Sequence, residues 1–154
     1  MLRKKRVYAD AAAATPLDKR VKKRLIELLP LYPNAGGLHK DALLSKDELA
    51  RVRKECAQAI DAHSDEIVFT SGGTEANNLA LFGIVRRMLK AGKSVHLITS
   101  VIEHPSILEC ARALQSEGVR VMYLPVNGEG LVSPQALRAA LTKDTALVSL
   151  QYVN

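Results

Sequence analysis

From Glu66 onward the chain alternates short apolar runs with stretches of helical character, and this alternation limits its fold more than any other feature. The apolar runs, which we predict as strands, lie at 67–70, 95–99, 119–124 and 146–150. The helical stretches lie between them at about 75–90, 105–117 and 133–142. Strands separated by helices of this length are typical of βαβ units with right-handed crossovers. We therefore expect an α/β fold with a mainly parallel sheet and flanking helices.

Two amphipathic helices are predicted before this alternation. The first has Thr15 as its N-cap, followed by Pro16, and it would turn the apolar side chains of Val21, Leu25, Ile26 and Leu29 inward. Ser45 and Glu48 fit a capping box, which predicts the start of a second helix that ends near His63. We expect residues 1–65 to form an N-terminal helical segment that packs on an α/β domain of residues 66–154.

The charge pattern excludes some functions. The formal net charge is +6, and its excess lies mainly at 3–6 and 19–24. Nucleic-acid binding would require stacking aromatics among the basic residues, but aromatics make up 4% of the chain and Trp is absent. We expect solvated basic faces and no nucleic-acid partner. The charged start and the lack of a run of about 18 apolar residues predict no membrane partner and a cytoplasmic location.

A glycine turn follows the first predicted strand, in the segment Phe69-Thr-Ser-Gly-Gly-Thr-Glu75. Glycines let the backbone approach an anion, and the first N–H groups of a helix point toward it. The helix dipole contributes only about 0.3–1 kcal/mol at an exposed site, so hydroxyls such as those of Ser71 and Thr74 would have to help hold a phosphate. The alternative is a plain helix cap in which Thr74 bonds its own helix, and spacing alone favours that simpler structure.

Glu103 and His104 follow the second predicted strand. Loops after parallel strands emerge at one edge of the sheet, so the glycine turn, His104 and the chain near Asn154 should gather there. His104 could stack on an aromatic ligand or transfer protons. It could also be no more than a polar cap or a surface residue.

Other polar residues give weaker signals. No metal-ligand spacing joins the remaining histidines or the two cysteines, so we expect no metal site. We read the cysteines as buried thiols in a reducing compartment. We assign no acid–base role to Glu75 or Glu103, because acidic residues are common in first helical turns.

Five motifs occur in order along the chain: Asp10-Ala-Ala-Ala-Ala-Thr-Pro16, Asn34-Ala-Gly-Gly-Leu-His39, Phe69-Thr-Ser-Gly-Gly-Thr-Glu75 with Asn78-Leu79, Glu103-His104, and Val148-Ser-Leu-Gln-Tyr-Val-Asn154. Together they resemble the N-terminal half of cysteine desulfurases, within the class V aminotransferase group of fold type I enzymes that use pyridoxal 5'-phosphate. The resemblance is strongest to the iron–sulfur branch. Ala35, Gly36 and Gly37 depart from it, since the family has Pro-Ser-Ser before the histidine.

The resemblance implies roles for particular residues. Gly73 and Thr74 would hold the phosphate of pyridoxal 5'-phosphate, and His104 would stack on its ring and assist proton transfer. It also implies L-cysteine as the substrate, a sulfur-acceptor or scaffold protein as a partner, and a homodimer in the complete enzyme. Sulfur would pass from L-cysteine to an enzyme persulfide for iron–sulfur or thio-cofactor synthesis.

The resemblance also implies that the family's cofactor-binding lysine, ring aspartate, persulfide cysteine and substrate arginine lie beyond residue 154. We therefore expect an incomplete large domain of a pyridoxal-phosphate-dependent transferase fold, which is an N-terminal fragment without activity of its own. The last predicted strand also indicates an incomplete domain, because parallel sheets need both faces covered and no further helix follows this strand. A small complete domain with an edge strand is the alternative.

Two other functions stay open. The complete enzyme could have another class V activity, such as that of an aminotransferase or a selenocysteine lyase. The chain could instead be a non-catalytic split or decayed half that acts as a binding module.

Overall fold

The structure, a computed structural model, describes residues 7–153. The predicted basic face at Arg3–Arg6 and the end of the last motif at Asn154 lie outside the described residues. The chain divides into two compact units, of which the first ends at Val68 and the second begins at Phe69.

The first unit is helical. It contains α1 (Lys19–Leu28), α2 (Lys40–Ala59) and a short 3₁₀ helix at Ser64–Glu66. Glu48 of α2 pairs with Arg51 of the same helix and with Arg24 of α1. The hydrogen bond from Arg51 is the largest of the causes that lower the pKa of Glu48 to about 2. This ion-pair cluster links the two helices.

Helix α1 begins later than the sequence predicts, and Thr15 is not its N-cap. Asp18 holds that position, and its carboxylate accepts a hydrogen bond of 2.7 Å from the N–H of Arg20. Aspartate caps helices at least as well as threonine does, and Asp18 lies directly before the first helical residue. The prediction that α1 turns an apolar face inward is also wrong within this unit. The four apolar side chains that should face inward are each about half exposed or more.

Helix α2 begins earlier than predicted. His39 is its N-cap and accepts from the N–H of Ala42 at 3.3 Å, whereas Ser45 lies inside the helix and its hydroxyl donates to the carbonyl of Asp41. The capping-box prediction is wrong because a cap is needed only where a helix starts, and the residues before Ser45 continue the helix. The helix ends at Ala59, ahead of the predicted end near His63.

The second unit confirms the predicted α/β fold with a parallel sheet. Its elements are, in order, α3 (Gly73–Lys90), β1 (His96–Ser100), α4 (Pro105–Ser116), β2 (Arg120–Leu124), α5 (Pro134–Ala140) and β3 (Thr145–Ser149). The three strands lie in the order β2-β1-β3, and both pairings are parallel. Strand β1 is therefore central, and all five of its residues are buried.

Neighbouring side chains of β1 enter opposite sides of the sheet, as the strand period of two requires. Leu97 packs in a cluster with residues of α3 and α4, including Leu81, Val85 and Leu114. Ile98 packs in a second cluster with Ala140 of α5. Helices thus cover both faces of the sheet.

The predicted strand at 67–70 is not part of this sheet. Ile67 ends the 3₁₀ helix in an extended conformation, and the residues from there to the glycine turn belong to no helix or strand. Extended backbone becomes a strand only beside a hydrogen-bonding partner strand, and the three described strands do not include this segment. Apolar composition alone could not distinguish these cases.

Candidate active site

The glycine turn leads directly into α3. Gly72 is the N-cap of this helix, and no side chain caps it. Both the N–H and the hydroxyl of Ser71 donate to one carboxylate oxygen of Glu75, each at 2.6 Å. The hydroxyl bond and, after it, the backbone bond lower the pKa of Glu75. The hydroxyl of Ser71 is therefore occupied inside the turn, and only that of Thr74 is left to meet a ligand.

The start of α3 offers several free donors. The first helical bond runs from the N–H of Ala76 to the carbonyl of Gly72, at 3.1 Å. The N–H groups of residues 73–75 precede that bond and, as in any helix, have no partner within it. The hydroxyl of Thr74 makes no hydrogen bond to another residue between 7 and 153, so Thr74 does not cap its own helix.

Space is open around these donors. A Cβ atom added at Gly72 or at Gly73 would meet no heavy atom within 4 Å. Gly72 has an extended backbone, so neither strain nor crowding in the described chain requires glycine at these two positions. Their small size instead leaves the helix start accessible to a ligand.

His104 lies between β1 and α4. It is the N-cap of α4, and its Nδ1 accepts a hydrogen bond of 3.1 Å from the N–H of Ser106. The hydroxyl of Ser106 lies 2.8 Å from the same nitrogen. Capping accounts for one edge of the ring, and the ring also lines a cavity.

Thr74 and His104 line the same cavity of about 480 Å³ between α3 and α4. Phe82, Cys110 and Ala113 give it an apolar wall, and burial raises the pKa of the Cys110 thiol. The remaining lining residues are Asn78, Pro105, Ser106 and Glu109. The structure thus brings together two of the three residues that the resemblance assigns to the cofactor, and the third, Gly73, immediately precedes Thr74.

Glu103 has a structural task that the sequence does not reveal. Its side chain is buried and accepts from the hydroxyl of Ser100 at 2.6 Å and from the N–H of Gln151 at 3.0 Å. Gln151 also donates from its side chain to the carbonyl of Ile102. Glu103 therefore ties the loop after β1 to the segment after β3. It bonds different partners from Glu75, so the two carboxylates do not act as a pair.

Asn77 is another residue that sequence reasoning missed. Its side-chain amide donates to the hydroxyl of Ser106 at 2.8 Å and so links α3 to the start of α4. The sequence gives little indication of this contact, since a polar residue one turn into a helix is usually a surface residue.

The donor set fits a phosphate group. Adjacent backbone N–H groups at a helix start, a free threonine hydroxyl and open space at two glycines are the features of an anion site. The apolar wall and His104 beside it suit a flat, largely apolar ligand body. No lysine within the described part of the chain lines this cavity.

Residues 7–153 contain no cluster of three or more His, Cys, Asp or Glu side chains arranged to hold a metal ion. None of their helices has both the length and the apolar character needed to cross a bilayer.

Comparison with known proteins places these features in context. The family described as aminotransferase class-V matches residues 7–154. The cysteine desulfurase IscS of Dictyoglomus turgidum is 41% identical over 152 residues, which are 98% of this chain and 38% of that protein. The chain thus spans well under half the length of this relative.

Solved structures show the same likeness. A NifS-like protein superimposes with a TM-score of 0.89 at 31% identity, over 95% of this chain and 40% of its own. A structure of SspA in complex with cysteine superimposes with a TM-score of 0.88 at 35% identity, over 96% of this chain and 42% of its own.

Proposed function

The chain belongs to the class V aminotransferase family, and we propose that it is part of a pyridoxal-phosphate-dependent cysteine desulfurase. The complete protein would move sulfur from L-cysteine to an enzyme persulfide for iron–sulfur or thio-cofactor synthesis. The observation that carries the proposal is the shared cavity of Thr74 and His104, one next to the free N–H groups of α3 and the other at the start of α4.

Within this proposal, the start of α3 binds the cofactor phosphate. Gly73 contributes a backbone N–H and an unobstructed approach, and Thr74 contributes an N–H and a hydroxyl. The positive end of the helix dipole adds a modest attraction for the anion. Glu75 is turned back onto Ser71, so its negative charge is partly neutralised by two donors at the turn.

His104 would contact the cofactor ring and hold or move a proton during the reaction. Pyridoxal 5'-phosphate, when bound, supplies an electron sink for bond cleavage at the amino-acid substrate. The protein contributes the ring-facing histidine, whose other edge is anchored on α4. A proton-transfer group affects turnover more than it affects cofactor retention.

The test is alanine formation from L-cysteine by the complete protein loaded with pyridoxal 5'-phosphate, with sulfide released when dithiothreitol is added to reduce the enzyme persulfide. We expect the wild-type protein to be active on L-cysteine. His104→Ala should lower its turnover by roughly 10²–10⁴-fold, the usual contribution of general acid–base catalysis. His63→Ala, a histidine of the first unit, is the matched control and should keep full turnover. Activity on L-selenocysteine but not on L-cysteine would favour the selenocysteine lyase alternative. No activity on either, in a protein that binds the cofactor, would favour an aminotransferase if amino-group transfer to a keto acid is detected, and a non-catalytic module if it is not.

The proposed partners follow from the same family membership. We propose a homodimer in the cytoplasm that hands sulfur to an acceptor or scaffold protein. Similarity to IscS of Dictyoglomus turgidum supports the acceptor, and a two-fold dimer is the commonest symmetric assembly. Sedimentation of the complete protein and persulfide transfer to candidate acceptors would test these points.

A further inference from the structure

Two contacts of His104 define which of its ring nitrogens carries the proton. The N–H of Ser106 points at Nδ1 at 3.1 Å, and a backbone N–H can only donate. Nδ1 must therefore offer its lone pair, and in the neutral imidazole the proton must be on Nε2. The hydroxyl of Ser106, 2.8 Å from Nδ1, is a second donor to the same lone pair, which the N–H and the hydroxyl of Ser106 share.

The assignment extends to Asn77. Once the Ser106 hydroxyl has donated its single hydrogen to His104, its oxygen can only accept from other groups. The amide of Asn77 lies 2.8 Å from that oxygen and supplies the donor it needs. A consistent direction of donation thus runs from Asn77 to Ser106 and from Ser106 to His104.

Ser106 is in a position to hold this arrangement firmly. It is 9% exposed, and it is the second residue of α4 after Pro105, so its backbone is fixed by the helix start. Asn77 is fixed on α3, and α3 packs against α4 in the main core cluster. His104 is exposed and lines the cavity. Because Nδ1 is bonded to Ser106, the free edge of the ring is the one that bears Nε2.

We propose that Asn77 and Ser106 are positioning residues that hold His104 as the Nε2–H tautomer and present that N–H at the cavity. The relevance of this tautomer to turnover rests on the proposed function, whereas the tautomer itself does not. Hydrogen bonds from fixed partners are the usual means by which proteins select a histidine tautomer.

The first measurement is made on the cofactor-free complete protein labelled with ¹⁵N-histidine. Long-range ¹H–¹⁵N spectra near pH 8.5, about two units above the ordinary pKa of imidazole, report the tautomer from the separation of the two ring ¹⁵N shifts. We expect the Nε2–H pattern for the resonances that His104→Ala removes. An Nδ1–H pattern at this site would overturn the proposal.

Variants then separate positioning from a merely structural role. Asn77→Asp should reduce the ¹⁵N shift separation more than Asn77→Ala does, because an aspartate draws the hydroxyl hydrogen of Ser106 away from His104. Ser106→Ala should also reduce the ¹⁵N shift separation. Ser106→Thr, which keeps a hydroxyl, should show the wild-type separation. Ser116→Ala, farther along the same helix, is the matched control and should leave the spectrum unchanged. Equal spectra for wild type, Asn77→Asp and Ser106→Ala would refute the positioning role of the two side chains, because the backbone N–H of Ser106 alone would then set the tautomer.

Turnover provides the second readout. In the complete protein loaded with pyridoxal 5'-phosphate, Asn77→Asp should lower kcat by about tenfold with little change in KM. This loss is smaller than the full rate contribution of general acid–base catalysis, because His104 itself is still present. A shifted spectrum with unchanged kcat would refute the positioning role in the reaction. Absence of desulfurase activity in wild type, together with the expected spectra, would instead refute the proposed function and leave the tautomer assignment standing.

Discussion

Thr74 and His104 line the same cavity, and each lies at the start of a helix but in a different position. Thr74 is the second residue of α3, where the helix has no side-chain cap and its hydroxyl is free. His104 is itself the cap of α4, so one ring nitrogen is committed to the helix and the other edge remains available. The cap and the ligand-contact interpretations of His104 are therefore compatible, because they concern different edges of the ring.

The phosphate role of Thr74 can be tested by removing its hydroxyl alone. Thr74→Val nearly preserves shape, and we expect the affinity of the complete protein for pyridoxal 5'-phosphate to fall by roughly 1.5–3 kcal/mol, the value of a hydrogen bond to a charged group. Equilibrium dialysis or fluorescence titration measures this change. Thr74→Ser, which keeps the hydroxyl, should retain most of the affinity. Equal affinity in the valine variant would show that the hydroxyl does not meet the phosphate.

Sequence reasoning could find Thr74 and His104 but not their supporting residues. The glycine turn and the histidine after a strand make Gly73, Thr74 and His104 candidates, but spacing alone favours plain helix caps, and the family resemblance supplies their cofactor roles. Asn77, Ser106 and Glu103 act through contacts across 29 or 48 positions of the chain, as in the bonds from Asn77 to Ser106 and from Gln151 to Glu103. Local patterns carry no information about such distant partners.

At the scale of elements, the alternation of strands and helices was predicted well, and the errors lie at the ends. The helices and strands after residue 90 match the structure to within a few residues, because the buried β1 and the apolar faces of α4 impose clear periodicities. The starts of α1 and α2 were misplaced because several residues could cap each helix, and local sequence does not rank them. The segment at 67–70 was predicted as a strand because composition does not show whether a pairing partner exists.

The beginnings of β1 and β3 are joined by a buried histidine. Nδ1 of His96 lies 3.0 Å from the hydroxyl of Thr145, and its Nε2 is buried without a partner among the described residues. Burial is the main reason that the pKa of His96 is lowered. Arg120 lowers this pKa further, and Asp144 opposes the shift. The folded protein therefore keeps His96 neutral at a pH where the unfolded chain begins to bind a proton.

This linkage predicts a loss of stability in mild acid. Because the folded pKa of His96 lies below the unfolded value of about 6.5, its contribution to the free energy of unfolding should decline as the pH falls below that value, and should be constant well above it. Urea denaturation at about pH 8 and pH 5.5 measures the difference. His96→Gln should show a smaller decline than wild type, whereas His63→Gln, an exposed control, should follow wild type. An equal decline in all three proteins would exclude His96 as the source.

At the scale of the whole molecule, the second unit carries the proposed cofactor site beside a three-stranded parallel sheet. Three parallel strands are covered on both faces by helices, and the cavity lies beside the starts of α3 and α4. The cavity offers donors for an anion and one histidine. None of its lining residues within 7–153 is a lysine, an arginine or an aspartate. Under the proposed function, binding of the cofactor and its covalent attachment would therefore depend on different residues.

This separation leads to a prediction for the 154-residue chain by itself. We expect it to bind pyridoxal 5'-phosphate only reversibly, because the phosphate donors of α3 are present and no described lysine lines the cavity. After borohydride treatment and dialysis, peptide mass spectrometry should find no single lysine labelled in stoichiometric amount. Low labelling spread over surface lysines is the expected background. A full-length cysteine desulfurase treated in parallel should carry the label on one lysine, which verifies the chemistry. Stoichiometric labelling of one lysine in the chain, such as Lys93 or Lys143, would contradict the prediction and give the chain a covalent cofactor site of its own.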